Sequence, residues 1–140
     1  MSEIVRTVSK VFSPLIFLFG MYITIHGHLT PGGGFAGGII LAGAIILGIL
    51  ANGSGETRLL YKKNLSSVSE FSGILLFLVL ASLGLVISGM FFFNFIGKGI
   101  SFTIFSAGII PLCNIGIAFE VGGAVSTIVL MLILFRKEEK

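Results

Sequence analysis

Two short stretches of this sequence hold the residue types that could carry chemistry. The first surrounds Glu120, in "CNIGIAFEVGGAVSTIVLML", where one acid stands inside a long apolar run. A carboxylate at bilayer depth costs at least ~2.5 kcal/mol, so such a group ordinarily faces protein or a water-filled cavity. At helical spacing Gly116, Gly123, Ala124 and Thr127 share its face, which surrounds the acid with small and hydroxyl side chains. Two roles fit. Glu120 could be a protonatable relay or cation ligand on an ion route. It could equally pair with a group on another helix and hold a subunit in place. The other apolar runs offer no obvious Lys, Arg or His partner, so any partner is expected in a different subunit.

The second stretch, "HGHLTPGGGF" at residues 26–35, sets two histidines, a proline and three glycines between apolar runs. His26 and His28 are two residues apart and point in different directions on a helix, with no Cys, Asp or Glu nearby to complete a metal set. A phosphate-binding glycine loop would need the lysine and Ser/Thr that this segment lacks. No metal and no cofactor is therefore expected in this chain. What the segment predicts is a tight turn, with Thr30 and Pro31 ending an extended piece and glycines taking angles other residues avoid. His26 could still titrate near neutral pH and serve as a relay at the membrane surface.

The elements that must position these groups follow from composition. Of 140 residues, 55% are hydrophobic and 11% charged, with a mean hydropathy of +1.11. An ordinary soluble domain is about 25% charged, which makes a membrane protein the leading class. Four apolar segments, at about 8–25, 34–51, 71–93 and 112–135, approach the ~20 residues that a spanning helix needs. Hydrocarbon offers the backbone no partners, so each is expected to be helical. The predicted fold is all-α and polytopic, a single membrane domain over residues 1–140. The single Cys113 cannot form an internal disulfide and does not indicate a redox compartment. The net charge of +3 is no nucleic-acid footprint, because the basic residues follow the membrane. Arg6, Lys10, Arg58, Lys62, Lys63, Arg136, Lys137 and Lys140 all fall on one face of a four-span chain, against Lys98 alone on the other. That bias predicts cytoplasmic termini. Arg6 and Lys10 precede an apolar stretch as in a signal peptide, but no small-residue cleavage pattern follows.

Finer features follow. Glu3, Arg6 and Lys10 fall in one wedge of a helical wheel, which suits either an interfacial helix ending at Ser13 and Pro14 or one kinked helix from 3 to 26. Ser13 is a candidate N-cap for the first span. The segment "NGSGETRLLYKKNLSSVSE" reads as a connector, closed by a Ser67 to Glu70 capping box that starts the third helix. Residues 94–111, with Phe95, Phe102 and Phe105, are expected to lie against the membrane surface or a neighbour, with a re-entrant segment as the alternative. In the second span Gly34, Gly38 and Ala42 repeat every four residues, as do Ala44 and Gly48, which predicts close helix packing. Gly116 and Gly123 do the same in the last span.

The "HGHLTPGGGFAGG" segment between two spans resembles the hallmark of the B subunit of Mrp-type multisubunit cation/proton antiporters. Its positions here are His26, Gly27, His28, Pro31, Gly32, Gly33, Gly34, Gly37 and Gly38. The four spans, the basic tail and "NIGIAFEVGGA" extend the resemblance across the chain. It implies a small, multi-pass cell-membrane subunit of a larger assembly that exchanges Na+ for H+, with other membrane subunits and lipid as partners and no nucleic acid. Such subunits occur in stand-alone antiporters and in archaeal hydrogenase or sulfur-reducing respiratory complexes. The resemblance assigns no ion-binding residue, so Glu120 and His26 stand as candidates on physical grounds. With one intramembrane acid and no intramembrane lysine, the chain is expected to be neither an enzyme nor an antiporter by itself. A purely structural or assembly subunit is the alternative. A membrane enzyme using the histidines as metal ligands is a third class.

Overall fold

The computed structural model describes residues 3–52, 56–100, 102–103 and 106–138. Gly53 to Gly55 of the connector, Phe105 and Lys140 lie outside the described residues. Four helices follow in chain order: α1 (Glu3–Ile25), α2 (Gly33–Asn52), α3 (Glu56–Ser88) and α4 (Ile110–Glu138). Each is long and apolar enough to cross a membrane. Most large apolar side chains point outward, including Phe12, Leu18, Phe71, Val86 and Leu132. That is the reverse of a water-soluble core, and it fits a surface solvated by lipid.

The helices pack in the order α1, α2, α4, α3; α1 also touches α4, and α1 and α3 make no contact among the described residues. Small residues set the spacing. A Cβ on Gly37 would collide with the Thr24 hydroxyl, and one on Gly48 would stand 3.2 Å from Ser13 Oγ, so this face of α2 lies against α1. Gly38 meets α4 instead, where a Cβ would be 2.9 Å from the Ala118 carbonyl oxygen. Ala42 and Ala44 are almost wholly buried. At the end where the basic residues collect, Ile49, Leu59, Leu130 and Leu134 close an apolar cluster.

Three expectations need correction. The polar connector is not a loop over most of its length, because α3 already begins at Glu56 and runs unbroken for 33 residues. Ser67 and Glu70 therefore lie inside the helix and cap nothing. Leu59 explains why, since it anchors the first turns of α3 against α4, a tertiary contact that outweighs the turn-forming residues around it. At the other end α3 stops at Ser88, short of residue 93, on Gly89 with a φ of 73°. Finally, α1 is one helix from Glu3 with Pro14 inside it, and Ser13 is no N-cap; its hydroxyl donates to the Ala44 carbonyl of α2 at 2.8 Å.

Candidate functional site

Glu120 sits on α4 where that helix meets α3, and glycines on both helices bring the backbones into contact. A Cβ on Gly73 would stand 2.5 Å from both the Glu120 amide nitrogen and the Gly116 carbonyl oxygen. One turn away, a Cβ on Gly123 would stand 2.5 Å from the Glu70 amide nitrogen and 2.6 Å from the Ser66 carbonyl oxygen. Glu70 is thus the second acid of this seam, about one helical turn, or ~5 Å along the axis, from the level of Glu120.

Depth follows from the neighbouring helix. The 20 residues of α2 rise ~30 Å, the thickness of a hydrocarbon core. Gly38 of α2 lies against Ala118 and Gly122, which bracket Glu120. Glu120 therefore lies ~8 Å inside the end of α2 that carries the glycine turn, and Glu70 lies deeper. Both acids are half-buried. Among the described residues neither carboxylate has a hydrogen-bond or ion-pair partner. Thr127, on the same flank of α4, has a buried hydroxyl that is likewise unsatisfied. By the 100° step of a helix, Glu70, Glu120 and Thr127 fall on one flank of the seam. Ser69, Ser72 and Phe119 fall on the other, where Ser69 donates to the Phe119 carbonyl.

The turn between α1 and α2 packs elsewhere. Gly32 and Gly33 take φ of 121° and 59°, angles open to glycine. Gly27, Gly33 and Gly34 close around Asn114 at the start of α4, and a Cβ on Gly34 would overlap the Asn114 carbonyl. His26 stacks on Tyr22 with ring centroids 4.2 Å apart, and its Nδ1–H donates to the Tyr22 carbonyl at 3.1 Å. That is a local helix-end contact. His28 reaches farther, its Nε2–H donating to the Thr103 carbonyl at 3.2 Å and tying the turn to the loop before α4. Because a carbonyl only accepts, these bonds fix which ring nitrogen carries the hydrogen. The other nitrogen of His28 and the amide of Asn114 are buried without partners. Pro31 is exposed at the tip of the turn.

The structure thus separates two features. The histidine turn lies at one end of the bundle, and the acids lie within it. Sequence reasoning missed Glu70, whose polar flanks read as a loop, and Asn114, whose only signal was an amide just inside an apolar run. Among the described residues no three His, Cys, Asp or Glu side chains come together.

Residues 4–127 match the family described as "Domain related to MnhB subunit of Na+/H+ antiporter". An uncharacterized protein of Methanocaldococcus jannaschii is 36% identical over 138 residues, covering 94% of this chain and 52% of its own length. The B subunit of the Na+/H+ antiporter of Bacillus subtilis is 38% identical over 86 residues, covering 61% of this chain and 59% of that one. Among solved structures, a chain of the membrane-bound sulfane sulfur reductase, an archaeal respiratory membrane complex, superposes with a TM-score of 0.67 at 34% identity. The match covers 94% of this chain and 58% of that chain. This chain thus spans little more than half the length of each of these proteins.

Proposed function

The chain belongs to the family of domains related to the MnhB subunit of Na+/H+ antiporters, and from that premise we propose that it is a membrane subunit that takes part in cation and proton movement within a multisubunit assembly. The multi-pass membrane character and the kinship with antiporter and respiratory-complex subunits support the setting. The observation that carries the finer reading is the partnerless, half-buried Glu120 at bilayer depth, with Glu70 one turn away. Either acid can bind a proton or, ionised, a desolvated cation, and Thr127, about one turn beyond the level of Glu70, adds a neutral oxygen farther along the same flank. The flank is open on this chain, so a neighbouring subunit would complete the path. His26, at the end of the bundle and close to solvent, serves as a proton acceptor near the mouth. The assembly is either a stand-alone Na+/H+ antiporter or the ion-moving part of a respiratory oxidoreductase. The excess of basic residues at one end supports cytoplasmic termini.

Glu120→Gln keeps size and polarity but removes the charge. It is expected to lower Na+-dependent proton movement in membrane vesicles about tenfold or more, the equivalent of losing a charge-assisted contact worth ~1.5–3 kcal/mol. The variant chain should remain in the purified assembly. Loss of the whole assembly would instead support a structural role for Glu120.

A further inference from the structure

The gap between α1 and α3 is a groove of about 740 Å³, floored by α2 and α4 and walled by Phe17 and Met21 on one side and Leu65 and Ser72 on the other. We propose that this groove holds one hydrocarbon chain of an anionic phospholipid, with the phosphate held between Lys10 and Lys62.

The groove runs from Ile115, near the turn end of the bundle, to Lys62 at the basic end, most of the height of α2. Its lining is overwhelmingly apolar; on its α3 wall Ser69 donates to the Phe119 carbonyl and Ser72 to the Ser69 carbonyl, while on its floor the buried Ser126 hydroxyl has no partner among the described residues. The α3 wall accepts hydrocarbon without leaving those two serines unsatisfied against it. A second hollow, sharing Phe17 and Ile45 with the groove, extends it past Pro14 toward Lys10. Lys10 stands seven and eleven residues before Phe17 and Met21, so all three lie on one face of α1.

The two lysines reach the same height on opposite walls. Lys10 is three residues from Ser13 toward the basic end, Ser13 bonding α2 at Ala44, and Lys62 is three residues inward from Leu59, which shares an apolar cluster with Ile49 of α2. Both therefore lie within about two turns of the basic end of α2, where a lysine stem reaches the headgroup level. Lys10 is exposed and Lys62 half-buried with its stem along the groove. Two ammonium groups flanking the mouth of a hydrocarbon-sized cleft complement one phosphate, and basic sites between transmembrane helices recognise anionic headgroups in this way.

The test is native mass spectrometry of the purified assembly containing this chain, delipidated and titrated with dioleoyl phosphatidylglycerol or dioleoyl phosphatidylcholine. One phosphatidylglycerol should be retained in preference to phosphatidylcholine by the wild-type assembly, a comparison that needs no variant. Lys10→Gln and Lys62→Gln should each weaken retention roughly fivefold, the worth of one basic residue at an anionic surface. Ser72→Phe, which fills the groove and leaves both lysines in place, should displace the lipid. Equal retention of the two lipids, or retention unchanged in the variants, would overturn the proposal. So would efficient cross-linking of a Ser72→Cys variant to a helix of another subunit, which would show that protein fills the groove.

Discussion

Glu70 and Glu120 approach each other from facing helices a single turn apart, so a proton or cation held by one is within the field of the other. Groups that share a ligand do not act additively when removed. Glu70→Gln should lower Na+-dependent transport on its own, and the Glu70→Gln/Glu120→Gln double variant should transport no more slowly than the worse single variant. Losses that multiply would place the two acids in separate sites. Glu120 was legible in the sequence because apolar residues surround it on both sides, whereas Glu70 follows a run of Asn, Lys and Ser that reads as solvated. Only the contact of Gly123 with the Glu70 backbone reveals that the residue lies at the depth of an apolar helix. The glycine turn shows the same division: the turn is written in its Pro and Gly, but the role of Asn114 as the surface it closes upon is a tertiary fact.

The helices of this bundle are held by backbone approach, since lipid leaves no hydrophobic drive between apolar helix faces. Four spans are readable from hydropathy, but the ends of α3 are not, because its anchor at Leu59 and its stop at Gly89 depend on packing and backbone angle. Substitutions at the closest contacts should therefore cost more than their chemistry suggests. Gly34→Val would drive its side chain into the Asn114 carbonyl and Gly73→Val into the Glu120 backbone. Each is expected to destabilise the fold by ~1–3 kcal/mol or more through overpacking, read as a lower thermal aggregation temperature of the purified assembly. Gly43→Ala, where a Cβ meets nothing within 4 Å, is the control and should leave that temperature unchanged or raise it.

The acids open onto one flank of the α3 and α4 pair, while the lipid groove occupies the other. A neighbouring subunit on the acid flank would supply the missing wall of an ion path, and lipid would seal the opposite side. The bias of basic residues toward one end predicts which way this arrangement sits in the membrane. Single cysteines at Pro31, on the turn, and at Lys10, at the basic end, should react with a membrane-impermeant maleimide from opposite faces of intact cells, Pro31→Cys from outside. Labelling of Lys10→Cys in intact cells would reverse the orientation. The proposed role of Glu120 is ion movement and not assembly alone. Its most direct measurement is the initial rate of Na+-driven proton movement by the purified assembly in proteoliposomes, wild type against Glu120→Gln, with the full set of subunits verified in both. An intact variant assembly that moves protons at about a tenth of the wild-type rate or less is the predicted result; an intact variant assembly working at the wild-type rate would contradict it.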